Sequence, residues 1–157
     1  MLCEMRDIDI VMEPEQVCDS RISACNYLAL SQVKRIRRTG DGNCLLYSLL
    51  GADNLEEANR WRQRIADWIE YNINECVIPE VPIRELVEQE GGVRRYVNKL
   101  RSGELWGGLV EIAIYAVLSN QAVVVYEVDE ERREYRVQTK VNVHEGVGGQ
   151  RCVKRPF

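Results

Sequence analysis

This chain of 157 residues holds one histidine, no CxxC spacing, no internal repeat and no low-complexity tract. It also has no apolar run of membrane-spanning length. Each shortage narrows the possibilities. Without a spanning run, a transmembrane helix is excluded and no membrane partner is expected. Six cysteines, at positions 3, 18, 25, 44, 76 and 152, are too scattered for the paired spacing of a zinc site, so neither metal nor cofactor is expected. The opening Met1-Leu2-Cys3-Glu4 lacks the basic and apolar regions of a signal peptide. The cysteines are therefore read as reduced thiols, and the compartment as cytoplasmic, or a host cytosol for an effector or viral protein. Positive charge is short as well: 21 Lys and Arg face 25 Asp and Glu, a net charge of −4. A phosphate-backbone binder normally shows a basic face, so nucleic acid is not the expected partner. The one basic cluster, Lys34-Arg35-Ile36-Arg37-Arg38, reads as the solvated side of a short strand.

What is present is ordinary globular composition, 45% apolar and 29% charged. The length suits one domain with a proper core, and a monomer is expected. Residues 1–30 read as an acidic, weakly periodic arm or lead-in, with a short helix near residues 22–30, and residues 31–157 as the functional domain. A short strand is expected over residues 33–37. Ala58, Trp61, Ile65, Trp68 and Ile69 recur at three- and four-residue steps, which places them on one helix face and both tryptophans in the core. Pro82 suits the first turn of a short helix through Glu90, ended by Gly91-Gly92. Val93, Tyr96, Val97 and Leu100 predict another helix, and Trp106-Gly107-Gly108 opens an apolar one that ends near Ser119-Asn120. Residues 122–128, rich in valine, predict a buried strand. Val137, Thr139, Val141 and Val143 alternate as a half-buried hairpin partner should. The fold class is α+β, a small central sheet flanked by helices.

The most informative segment is Thr39-Gly40-Asp41-Gly42-Asn43-Cys44, a glycine turn that delivers a cysteine to the start of an apolar helix. A cysteine there feels the positive end of the helix dipole, which favours thiolate. Unpaired N–H groups of the first turn can face an anion. One local element thus offers a nucleophile and an oxyanion hole. A base is then needed, and His144 is the candidate. Asp41, Asn142 and Glu145 are the available residues to orient its ring, although Asp41 has an equal claim to shaping the turn.

TGDGNCLLYSLL resembles the nucleophile motif of the ovarian-tumour (OTU) family of cysteine proteases, and LWGGLVEIAIYAVLSNQAVVVYEV resembles its second signature. Together the two segments cover roughly residues 33–144. The resemblance implies a papain-type fold and deubiquitinase activity, with hydrolysis after the C-terminal Gly-Gly of ubiquitin or a ubiquitin-like modifier. It makes Cys44 the nucleophile and puts oxyanion donors on the backbone around Asp41, Gly42, Asn43 and Cys44. It gives Trp106 and Glu111 the task of building and supporting the site, with packing and helix capping as the simpler role for both. The chain departs from the pattern at Val143-His144-Glu145-Gly146-Val147, where the family has an aromatic residue and then Asp or Asn. Either His144 works with another orienting residue, or the activity is weak or absent.

Three functions remain open on this reading. The first is a thiol hydrolase acting on ubiquitin or a ubiquitin-like protein. The second is a catalytically silent module that binds ubiquitin. The third is a polyprotein-processing protease, to which Gly148-Gly149-Gln150 would offer a cleavage site. Glu75, Glu80, Glu85, Glu88 and Glu90 form the densest acidic region, either a solvated helical face or a contact for the arginines of ubiquitin's tail.

Overall fold

A computed structural model describes residues 10–12, 27–29, 34–78 and 80–141. The element order is β1 (Ile10–Met12), β2 (Tyr27–Ala29), β3 (Lys34–Ile36), α1 (Cys44–Leu50), α2 (Leu55–Tyr71) and α3 (Ile83–Leu86). A single 3-10 turn (Glu88–Glu90) follows, then α4 (Val93–Ser102), α5 (Leu109–Ser119), β4 (Val123–Asp129) and β5 (Glu134–Val141). The protein is α+β. Its described residues group into two compact units: β1–β3 with Val124–Lys140, and Thr39–Val123 with Val141.

The first unit is built from antiparallel strands. β1 pairs with β3, Ile10 opposite Ile36, and a second sheet runs in the order β2-β5-β4, Tyr27 opposite Arg136. The helix expected near residues 22–30 is therefore corrected: residues 27–29 are extended. A neighbouring strand that offers backbone partners outweighs weak local helix preference. β5 alternates as its sequence predicts, Tyr135 buried and Arg136, Gln138 and Lys140 exposed. β4 is less buried than its valines imply, with Val124 and Glu127 exposed. It is the edge of its sheet, and antiparallel sheets tolerate water along one side.

The second unit is helical and centres on α2, which packs against α1, α4 and α5. Asn54 caps α2 by accepting from the Glu57 N–H at 3.1 Å, and Glu56 and Glu57 lie in its positive first turn. Its inward face is Ala58, Trp61, Ile65, Ala66 and Ile69, all buried, with Trp68 partly buried against the same core. Ile83, Val87, Val97, Leu100 and Ile114 complete the dry centre. Each such side chain stabilises the fold by roughly 1.5–3 kcal/mol. The Trp61 and Tyr115 rings meet at 4.5 Å, and the Arg64 guanidinium lies 4.2 Å from the Trp61 ring centre. Gly91 and Gly103 take left-handed conformations that stop the 3-10 turn and α4, the first as the Gly91-Gly92 pair implies.

Cys76, in the loop after α2, is disulfide-bonded. The expectation that the thiols are reduced throughout is corrected at this position. Of the acidic cluster, Glu80, Glu85, Glu88 and Glu90 are exposed and Glu75 is half-buried. Glu90 reaches Lys99 at 3.4 Å. That is a solvated face. No helix among the described residues is long and apolar enough to cross a membrane.

Candidate active site

The turn before α1 is built from three constraints on one peptide. Gly42 has φ +89°, a conformation open to glycine and costly for other residues. The carbonyl of Gly42 accepts a hydrogen bond from Arg62 Nη2 at 2.8 Å. On the opposite edge of the same peptide unit, the Asn43 N–H donates to Asp41 Oδ1 at 3.0 Å. The peptide plane is clamped from both sides. The Asn43 carbonyl then accepts from the Tyr47 N–H at 2.9 Å, closing the first turn of α1. Tyr47 also returns its hydroxyl to Asp41 Oδ2 at 2.7 Å. One residue upstream of Gly40, the Thr39 N–H donates to Asp53 Oδ2 at 3.0 Å.

Cys44 is the first residue of α1 and carries a free, half-buried thiol. Burial pushes that thiol above its ordinary value. The N–H groups of Leu45 and Cys44 and the charge of Arg62 pull the other way, Asp41 adds to the rise, and the net direction is upward. The expectation of a helix-terminus thiolate is thereby corrected. Removal from water disfavours the charged sulfur by more than the first-turn N–H groups and Arg62 favour it.

Asp41 occupies both carboxylate oxygens within the turn, on the Asn43 N–H and the Tyr47 hydroxyl. Burial pushes its carboxyl up, but those hydrogen bonds prevail and hold it below the usual value. These bonds shape the turn, one of the two roles weighed for Asp41; His144, which the other role needs, lies outside the described residues. Asn43 likewise has a fixed task, because its N–H is spent on Asp41 and its side-chain oxygen accepts from Arg62 Nε at 2.7 Å. It is a support residue rather than an oxyanion donor.

The second motif lies against the first. A Cβ on Gly107 would fall 2.3 Å from Leu45 Cδ2, so only a glycine allows this approach of loop to helix. Glu111, 2% exposed, caps α5 by accepting from the Gly108 N–H at 2.7 Å through Oε2. Its other oxygen accepts a hydrogen bond from the buried Tyr96 hydroxyl. Burial raises the Glu111 carboxyl despite those donors and the Arg62 charge. Burial also raises the Tyr96 hydroxyl, and the facing carboxylate adds to the rise. Trp106, beside this loop, is 49% exposed.

His144, Asn142 and Glu145 lie outside the described residues, as do Gly148-Gly149-Gln150. Two residues outside the motifs, Arg62 and Tyr96, turn out to hold the site together with Tyr47 of the first motif. Arg62 was legible in principle. It falls on the apolar stripe 58–62–65–69 of α2, where a cation has no reason to be unless its bonds are satisfied inside. Among the described residues, no cluster of His, Cys, Asp and Glu fits a metal ion. No protein family, no curated protein and no solved structure matches this chain.

Proposed function

We propose that this protein is a cysteine-dependent deubiquitinase with an OTU-like, papain-type fold. It hydrolyses the peptide or isopeptide bond after the C-terminal Gly-Gly of ubiquitin or a ubiquitin-like modifier. The observation that carries this reading is the contact of Gly107 with Leu45, 62 positions earlier: the two segments that resemble the OTU motifs are packed together beside a free thiol.

In this mechanism His144 accepts the proton of Cys44 as the sulfur attacks the carbonyl carbon of the terminal glycine. Burial favours the neutral thiol, so a base must take its proton for the sulfur to attack. The Cys44 N–H and its neighbours in the turn hold the oxyanion, and losing one such donor costs about 10²–10³ in rate. The C–N bond breaks, His144 protonates the departing lysine amine, and water hydrolyses the thioester.

A fluorogenic ubiquitin C-terminal substrate tests the proposal. Wild type cleaves it, and Cys44→Ala and His144→Ala do not. A fully active His144→Ala enzyme removes the base assignment; a fully active Cys44→Ala enzyme removes the mechanism. The raised thiol favours one other reading, a silent fold that binds ubiquitin without cutting it. A ubiquitin probe ending in an electrophile separates the two. Covalent capture lost in Cys44→Ala marks the enzyme, while tight binding without an adduct marks the module.

A further inference from the structure

Arg62 is 2% exposed on the inward face of α2. Its guanidinium donates to Asn43 Oδ1 at 2.7 Å, the Gly42 carbonyl at 2.8 Å, the Leu105 carbonyl at 3.0 Å and the Leu100 carbonyl at 3.3 Å. Every one of these acceptors is neutral. Buried arginines normally face a carboxylate, and this one spends its whole fork on main-chain and amide oxygens from three separate segments. Two of those segments are the Cys44 turn and the loop leading into Trp106-Gly107-Gly108.

We propose that Arg62 is a positioning residue for Cys44. Its rigid fork ties the nucleophile's turn to the end of α4 and to the loop that carries Trp106. This inference rests on Cys44 being the nucleophile of the proposed hydrolase, but its physical content concerns the thiol alone.

Two consequences are separate. The fork holds the Gly42–Asn43 peptide, so it governs where the sulfur points. The charge favours the thiolate and opposes Asp41, which disfavours it. Burial disfavours the charge of the guanidinium and prevails; Glu111 from α5, Asp41, Tyr47 from α1 and Cys44 oppose it by favouring the cationic form. Tyr96 from α4 faces Glu111 and donates to it. An uncharged substitute at 62 leaves the thiol with burial and Asp41 and without the opposing cation.

The test is the rate of Cys44 carboxamidomethylation by iodoacetamide against pH, followed by mass spectrometry of its peptide, with urea unfolding of each variant as the stability control. Arg62→Gln keeps hydrogen-bond donors and loses the charge. Its alkylation midpoint rises by about half a pH unit or more. Arg62→Lys keeps the charge and returns the midpoint to the wild-type position. Its ammonium cannot span Asn43 and three carbonyls at once, so the looser turn exposes the sulfur and the plateau rate rises about threefold or more. A folded Arg62→Gln protein with an unchanged midpoint overturns the proposal, because a purely structural arginine would lower the unfolding midpoint and leave the thiol alone. If Arg62→Gln does not fold, Arg62→Lys decides: a wild-type plateau rate overturns the proposal and a raised one supports it. Failure of both to fold makes Arg62 a core residue only and also overturns it. None of these readouts requires ubiquitin, so they stand or fall separately from the deubiquitinase reading.

Discussion

Gly107 and Leu45 stand so close that a single added methyl group at 107 would overlap the Leu45 side chain, at 2.3 Å from Cδ2. The loop before α5 therefore sets the position of the helix that bears Cys44. Gly107→Ala should destabilise the protein by about 1–3 kcal/mol, the usual cost of overpacking a fitted contact. Urea unfolding measures it. A variant as stable as wild type would show that Leu45 moves aside freely and that the two motifs are not rigidly coupled.

Gly42 tests the turn by a different mechanism. A Cβ there has space, its nearest neighbour being the Gly103 carbonyl oxygen at 3.9 Å, but φ is +89°. Gly42→Ala should thus cost about 1–2 kcal/mol through backbone strain alone. Under the proposed hydrolase activity it should also slow hydrolysis more than it lowers stability, since the strained peptide is the one bonded to Arg62 and Asp41. Measurement of kcat/KM beside the unfolding midpoint separates the effects.

Burial raises the Cys44 thiol, and the sign of the consequence is direct. A thiol raised by burial is mostly neutral near pH 7, and its reactivity climbs with pH until the raised value is passed. Iodoacetamide labelling should show a midpoint above that of a free cysteine in an unfolded peptide. Under the same native conditions the Cys76 peptide should stay unlabelled until a reductant is added. A midpoint below 7 would overturn the upward direction and restore a preformed thiolate.

Glu111 offers a pH test of the buried support. Its folded pKa is raised above the ordinary 4.5, so the folded state holds its proton where the unfolded chain has released it. The contribution to stability is full below the unfolded value and is lost as pH rises through the folded one. Glu111→Gln keeps an acceptor for Gly108 and a partner for Tyr96 without a charge. Wild type should therefore gain stability relative to Glu111→Gln as pH falls from 7 toward 4.5. Glu111→Ala, which strands both donors, should cost about 1–3 kcal/mol at either pH. A pH-independent difference between wild type and Glu111→Gln would remove the buried-charge argument.

Much of the helical unit was legible. The stripe through Ala58, Trp61, Ile65 and Ile69 appears as α2, and Tyr96, Val97 and Leu100 as the inward face of α4. Gly91 and Asn120 stop their elements in left-handed conformations. These are local signals, carried by periodicity and by residues with distinctive backbone preferences. Residues 27–29 were not legible as a strand, because their extension follows from pairing with β5, more than a hundred positions away. At the site, Cys44, Gly42 and Glu111 announced themselves through motif spacing. Arg62 did not, although its place on an apolar stripe was a clue. Nothing local told whether Asp41 would serve a histidine or its own turn; the Tyr47 hydroxyl takes one of its oxygens and the Asn43 N–H the other.

The order of residues by itself determined where the helices run and that a cysteine opens α1 after a glycine turn, since both depend on groups a few positions apart. Tertiary structure decided the chemistry of that cysteine. Ionisation is set by how much water packing removes and which charges it brings near, and those come from α2 and from the turn's own fold against it. A short helix and a DGNC turn favour the thiolate; the surrounding protein reverses that preference.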